Sequence, residues 1–580
     1  MKLLRGTLRA DLNGALSGNS PNRRAGMLVH MAGLASSVAL VVLVAGTPQG
    51  LYSDPGWQAK ALQQYLAGTA PTPNHLVMPS PQDLSVDAPE WLFWHAPGTQ
   101  IVLYPLVSVG LAPGHAVRLI AVLSILVGVA GWSRWFCLFA LPRAILIVLA
   151  IGLPWVRQVS NALFLYSAEI LVFAVTPWLL ILTQRFSGPA LPSKHAASLL
   201  LAFLGGLALG SVYWLKYSAL LISAGALLYI SIWYIADVNR APRRTWTWLA
   251  AILAGAILPV AALSALNFRF ASEANLVTAG AAFRPQWRTL LAATGNPALA
   301  ALDLDAMLSY VLLHPGSPLV ADHGWVELIG VPGGLVTAWL VFRGWARSPA
   351  HLLGSTVFVS GLALLLLIWT FSTSVSFEAR HVAMASLAVL PLALSEGRRR
   401  FTEAPLRVKL VLGALGCLYV VAPLAYGPVS AVAKVVRTSD RYAVGPAAVY
   451  NPLLADTDIA SVRETLSQAT EGREYVWYLT EPMSALDLPG RAVIRHADFM
   501  TPEALDERFA TTRPIRVHAL LPDRFEQNGK GRIIRESFPG AAAWRLQAID
   551  GSNYRLWSAD LAPEEARTSA GLDEDAGKSR

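Results

Sequence analysis

The chain has 580 residues, 54% of them hydrophobic and only 14% charged, where soluble domains carry about a quarter charged residues. With a mean hydropathy of +0.46, this composition excludes an ordinary soluble protein and points to a polytopic membrane protein. The formal net charge of +9 comes from basic residues in short loops between apolar runs, so no nucleic-acid partner is expected. Cys137 and Cys417 both lie inside apolar runs and offer neither a disulfide framework nor a metal-ligand spacing.

Residues 1–25 are polar and basic and read as a cytoplasmic tail, partly disordered. The apolar run from Gly26 to Thr47 is long for a secretory signal and no small-residue cleavage site follows it, so it reads as a retained first span. Leu51 to Gly68, LYSDPGWQAKALQQYLAG, comes next, with Trp57, Ala61, Leu62, Tyr65 and Leu66 on one helical face. That pattern predicts a helix along the membrane surface, with the Asp54 carboxylate where the chain leaves the bilayer. Asp followed by Pro is also a good helix start, and taken alone Asp54 reads as a cap before it reads as a catalyst.

The segment Thr69 to Gln100 ends in the aromatic run EWLFWHAPGTQ, suited to an interface, and Ile101 to Leu111 is apolar but too short to span. A second span is expected from about Ala116 to Trp132 and a third from Phe136 to Leu153. The loop PWVRQVSNALFLYSAE leads into a fourth span that opens with Glu169. A fifth ends at WLKYS with Lys216, a sixth covers Ala219 to Ile235, and a seventh Trp248 to Leu266. A long segment from Asn267 to Gly324 follows, with a short helical stretch around Pro297 to Leu313. Three further spans alternate with FRGWARS, STSVSFEARH and EGRRRF, and a last one covers about Leu410 to Tyr426. About eleven spans place Arg23–Arg24, Arg185 with Lys194, Arg240 to Arg244, Arg343 with Arg347, and Arg398 to Arg400 on one side, as the positive-inside rule requires. The loops 48–115 and 267–324 and the C-terminal region 431–563 then fall on the outer, extracytoplasmic face.

From Thr457 the apolar period changes. SVRETLSQAT and TPEALDERFATT read as helices, the latter capped by Thr501 with Pro502 at its first position. EYVWYLT, RAVIRHA and PIRVHALLP read as strands, DRFEQNGKGRIIRESF as a mixed or helical segment, and AWRLQAIDGSNYRLW as a hairpin across Asp550–Gly551. Together they predict a small α/β domain outside the membrane, ahead of a disordered tail at 564–580. It carries no metal-ligand spacing, phosphate loop or nucleophile elbow, so packing or covering is its simplest role.

The topology collects Asp54, Lys60, His95, Arg118, Glu169, Lys216, Arg284, Arg288, Glu378, Arg380 and His381 on the outer side. Charges at the edge of spans are costly and mark function, a partner or a snorkelling position. Singly, Arg118 and Lys216 read as snorkelling cations, and His95 beside Ala96–Pro97 as a loop anchor. Arg380–His381 reads equally as an interfacial anchor or a phosphate clamp. Glu169, a short carboxylate in an apolar helix, calls for a polar cavity or a cation. Two carboxylates and several cations on one face suit group transfer from a phosphate leaving group, one carboxylate taking the acceptor proton and the cations stabilising the departing phosphate.

This layout resembles the polytopic GT-C glycosyltransferases that use lipid-linked sugars, the class that includes protein O-mannosyltransferases and lipid A aminoarabinose transferases. The likeness covers roughly residues 26–430 and lies in the order and sidedness of short motifs. Asp54 matches the family's Asp after the first span, and HAPGTQIVLYPLVSVGLAPGHAVRL matches its His-Pro-Pro segment and following Arg through His95, Pro97 and Arg118. Glu169 in YSAEIL, Lys216 in GSVYWLKYS and Arg380 in EARHVAMASLAVLPLAL match its second acidic residue, its Lys and its late Arg. The chain departs from the pattern in having Asp54-Pro55 for Asp-Glu and His-Ala-Pro for His-Pro-Pro.

The resemblance implies a GT-C-like fold and an inner-membrane location. It implies a polyprenyl-phosphate sugar as donor and a lipid, glycan or protein hydroxyl or amine as acceptor. It casts Asp54 and Glu169 as catalytic carboxylates, and Lys216, Arg380, His381, His95 and Arg118 as substrate-binding residues. Some members of the class use a divalent metal such as Mg or Mn and others none; two carboxylates leave both open. The alternative is a polytopic transporter or lipid flippase, but no half-to-half repeat is visible and the ionisable residues cluster at one face rather than the midplane.

Overall fold

The computed structural model describes residues 21–186, 195–237, 242–271, 287–313, 326–345, 347–371, 379–438 and 445–450, then 464, 467–468, 474–488, 490–495, 497, 500, 505–549 and 553–563. The chain forms two compact units, one comprising residues 1–45, 121–163 and 168–434, the other 46–120, 164–167 and 435–580.

The first unit is helical. Among the described residues, six helices are long and apolar enough to cross a membrane, seven when one bent pair counts as a span. They include Gly26–Val44, Pro113–Phe136, Ala196–Leu215, Tyr217–Ile235, Thr245–Phe270 and the 33-residue Leu406–Thr438, with Leu328–Gly344 and Pro349–Ala363 apolar but shorter. The third expected span is not one helix. The chain leaves helical form after Phe136; Pro142 precedes Arg143–Trp155 and Pro154 lies near its end, and neither can donate to a helix ladder. That segment then bends by 42° into Arg157–Leu163.

Small residues let the helices approach closely. A Cβ on Gly206 would stand 2.0 Å from the Ile252 carbonyl oxygen, and one on Gly255 would stand 2.2 Å from that of Phe203, so glycine on both helices sets their spacing. Buried indoles find acceptors: Trp132 donates to the Phe173 carbonyl, Trp135 to that of Ala388, and Trp248 to the Ser198 hydroxyl.

The second unit is assembled from distant stretches of sequence. Strands β1 (Gln49–Leu51), β2 (His75–Ser80), β3 (Asp83–Trp91), β4 (Leu165–Tyr166) and β5 (Val449–Tyr450) precede β6 (Tyr475–Leu479), β7 (Arg491–Ile494), β8 (Ile515–Pro522), β9 (Arg545–Ala548) and β10 (Tyr554–Leu561). β1 lies between β4 and β5, parallel to both, with Gly50 opposite Leu165 and Tyr450. β2 and β3 form a hairpin, and the other five strands form a mixed sheet in the order β7-β6-β8-β10-β9.

The central strands β6 and β8 of that sheet are buried on both faces, while the edge strand β9 is exposed, and side chains alternate between the faces. Trp477, Leu479, Leu520 and Leu556 pack with Ala61, Leu76, Met78 and Leu92. Val476, Tyr478, Val517 and Ala519 pack with Phe509, Phe525, Ile534 and Phe538. The apolar face of the helix Ser53–Leu66 is packed against protein at Trp57 and Ala61, with Leu66 at its end exposed. Residues read as a surface helix and loop are the second layer of the C-terminal sheet.

The strands and the helices Asp523–Gln527 and Lys530–Glu536 stand where the sequence places them, and β9 and β10 pair as the expected hairpin, with Asp550–Gly551 outside the described residues. The helix expected from Thr501 does not form over 506–511. There Phe509 donates its N–H to Ser537, Ala510 donates to Pro81, and Glu507 takes a bidentate bond from Arg495, so tertiary partners replace the helical ones. Thr501 and Pro502, and most of SVRETLSQAT, lie outside the described residues.

Candidate active site

Three helix ends converge on Glu169 in the first unit. Glu169 is the first residue of the helix Glu169–Phe186, where a carboxylate meets the positive end of the helix dipole. Lys216 follows the helix His195–Leu215 in extended conformation, its cation near the negative end of that helix. Its ammonium donates to Glu169 Oε1, and both side chains are mostly buried. Arg380, in the turn Ala379–Val382 ahead of the helix Ala383–Glu403, brings Nη1 to 4.0 Å from the same oxygen.

These residues and His381 line a narrow pocket whose other walls include Val172, Leu221, Ile222 and Met384. Its free space is about 10 Å³, enough for about one water. Two cations face one carboxylate among apolar side chains. The arrangement suits an anion carried on an apolar molecule, and it admits one only if the Glu169–Lys216 bond opens. It does not suit a divalent metal, which Lys216 and Arg380 would repel, and no group of three or more His, Cys, Asp or Glu converges among the described residues.

Asp54, His95 and Arg118 belong to the second unit. The helix starts at Ser53, so Pro55 is not its first residue, and no side chain caps its N-terminus. Asp54 is not the cap that Asp-Pro suggests. Its Oδ2 instead lies 3.4 Å from His95 Nδ1, with the carboxylate 39% and the imidazole 31% exposed. Gln58 donates to the Ala96 carbonyl at 2.7 Å, fixing the loop that carries His95 against the helix. Arg118 donates to the carbonyl and hydroxyl of Thr47, just ahead of β1, and so ties down the strand from which Asp54 follows.

Lys60 is buried, donating to the Ala485 carbonyl at 2.7 Å and to Gln63 at 3.2 Å. Burial lowers its pKa to about 8 despite the opposing pull of Asp487. Arg284 and Glu378, and the side chain of Arg288, lie outside the described residues.

One polar cluster has no counterpart in the sequence reading. Asp303, at a positive φ of 60°, lies near Arg157 and Lys434, with Arg157 reaching the Ala306 carbonyl and Lys434 bonding Asn161. Burial raises the Asp303 pKa to about 6, against the lowering influence of the two cations. Arg157 was visible in the loop before Glu169, but no spacing connects it to residues so far along the chain.

No family model and no curated protein sequence matches the chain. The solved structures to which the chain is similar include the following two. One is ArnT from Cupriavidus metallidurans, solved bound to undecaprenyl phosphate: TM-score 0.47, 11% identity, covering 92% of this chain and 98% of that one. The other is arabinofuranosyltransferase AftD from Mycobacteria: TM-score 0.40, 15% identity, covering 92% of this chain and 42% of that one.

Proposed function

We propose that the protein is a membrane glycosyltransferase of GT-C type, which moves a sugar from a polyprenyl-phosphate donor to an acceptor hydroxyl or amine on the extracytoplasmic face of the inner membrane. The observation that carries this reading is the placement of Lys216 and Arg380 against Glu169 in an apolar pocket of the helical unit. A lipid phosphate combines an anion with an apolar tail, and this pocket offers complements to both. In the resting pocket Glu169 neutralises the cations. An incoming phosphate takes its place on Lys216 and Arg380, with His381 as a further donor.

In the transfer step the bond between the anomeric carbon and the phosphate oxygen breaks, and a bond from that carbon to the acceptor oxygen or nitrogen forms. The acceptor proton passes to Asp54, oriented by His95. The negative charge left on the polyprenyl phosphate is stabilised by the cations. Arg118 holds the strand ahead of Asp54 and so positions it.

The reading is tested by reconstituting purified protein in liposomes with a radiolabelled pool of polyprenyl-phosphate sugars and an envelope extract as acceptor. Wild type is expected to transfer label, and Asp54→Asn to fold normally and transfer little. Equal transfer by the two would remove Asp54 from the chemistry, and label crossing the bilayer without transfer would favour the transporter reading.

A further inference from the structure

The second unit contains a cleft of about 880 Å³, within the range of about 300–1,000 Å³ typical of small-ligand sites. Its wall is built from the helix Ser53–Leu66, the β2–β3 hairpin, the short helix Ser484–Asp487 and the start of β7. Two features of the wall restrict what it can hold.

The first is charge. Lys60 and Arg491 are the cations of the lining, and Asp87 and Asp487 its carboxylates. Arg491 Nε donates to Asp87 at 2.7 Å, and Asp487 accepts the Ala447 N–H at 2.9 Å. The lining is balanced, so an anionic ligand would meet the carboxylates and a cationic one the basic groups, each with a desolvation cost.

The second is hydrogen-bonding capacity left over once internal bonds are made. Lys60 uses two of its three N–H donors. Gln63 spends one amide hydrogen on the Leu486 carbonyl and keeps the other. The Thr69 hydroxyl donates to the Gln64 carbonyl and retains its lone pairs. Arg491 Nη2 is buried and has no hydrogen-bond partner among the described residues. Val77, Leu486 and Leu488 supply apolar surface between these groups. A purely apolar ligand would leave these groups unsatisfied, which is unfavourable.

A ligand with many hydroxyls, no net charge and apolar C–H faces meets both conditions. We propose that this cleft is a binding site for a neutral oligosaccharide, separate from the Glu169 pocket. It rests on the glycosyltransferase reading only for the role of that saccharide, which there would be part of a glycan acceptor.

Ala67 lines the cleft and is exposed at the end of the helix, so a large side chain there obstructs the opening without entering a packed core. The full chain in nanodiscs is titrated with maltotetraose, cellotetraose and, for comparison, tetragalacturonate, by calorimetry and saturation-transfer NMR. No donor is present, so the outcome does not depend on whether the protein transfers sugar. At least one neutral tetrasaccharide should bind, and Ala67→Trp, with an unchanged melting temperature, should weaken it by about tenfold or more. Gln63→Ala should weaken it by a smaller factor. Binding of neither neutral saccharide, preference for the acidic one, or equal binding by Ala67→Trp would each overturn the proposal.

Discussion

The pairs Glu169–Lys216 and Asp54–His95 each join an acidic and a basic group, yet their surroundings differ. The first is mostly buried, at 13% and 17% exposure, with Arg380 as a second cation. The second stands 3.4 Å apart, with the carboxylate 39% and the imidazole 31% exposed. A buried carboxylate between two cations is engaged in neutralising them, whereas a partly exposed one beside an imidazole stands open to an incoming acceptor. Burial thus separates a charge that holds an anion site in readiness from one suited to moving a proton.

Breaking each pair should separate these roles in kinetics. The largest effect is expected from Asp54→Asn, which should lower kcat by roughly 10²–10⁴-fold while leaving donor affinity within a few-fold, measured by transfer at saturating donor. Lys216→Met should lower kcat/KM by about 10²–10³-fold with a raised donor KM, since it removes a cation that meets the phosphate from ground state to product. A shared pattern in the two variants would erase the distinction.

Glu396 sharpens the comparison as a buried carboxylate of the helical unit outside the pocket. It is 2% exposed, 2.6 Å from Arg347 and 3.5 Å from Arg399. Glu396→Ala removes a buried carboxylate from two partly exposed arginines and should lower stability by about 1–2 kcal/mol, read as a lowered melting temperature with donor KM unchanged.

The last effect is one of pH and concerns Lys60 in the second unit. Its folded pKa of about 8 lies below the ordinary 10.5. Below pH 8 both folded and unfolded chains carry the proton, and the full penalty of burying it, up to roughly 3 kcal/mol, opposes folding. Between about 8 and 10.5 the unfolded chain binds more protons, so this penalty fades as pH rises. Lys60→Met lacks it at every pH. The melting temperature of wild type should therefore gain on that of the variant from pH 8 to 10, and a constant difference would contradict the assignment.

Hydropathy and short-range pattern made much of the architecture legible. Apolar runs gave the long helices, and runs such as EYVWYLT and PIRVHALLP gave strands buried on both faces. Local signals failed where distant partners decide the outcome. The periodicity of the helix after Asp54 reads as a membrane-facing stripe, because nothing nearby shows that Trp477 and Leu76 will cover it. Leu505 and Phe509 sit at helical spacing but serve a sheet core. The sequence singled out Glu169, Lys216, Arg380 and His381 one by one as charges in apolar context, and the structure lines one pocket with them. Asp303 with Arg157 and Lys434 stayed hidden, since residues so far apart in sequence leave no common spacing.

The most direct test of the account is the binding of undecaprenyl phosphate to wild type, Lys216→Met and Glu169→Gln in nanodiscs, without acceptor. If phosphate replaces Glu169 on the two cations, Lys216→Met should bind at least about tenfold more weakly than wild type. Glu169→Gln, freed of the competing carboxylate, should bind as tightly as wild type or more so. Unchanged binding by Lys216→Met, or an equal loss in Glu169→Gln, would contradict the account.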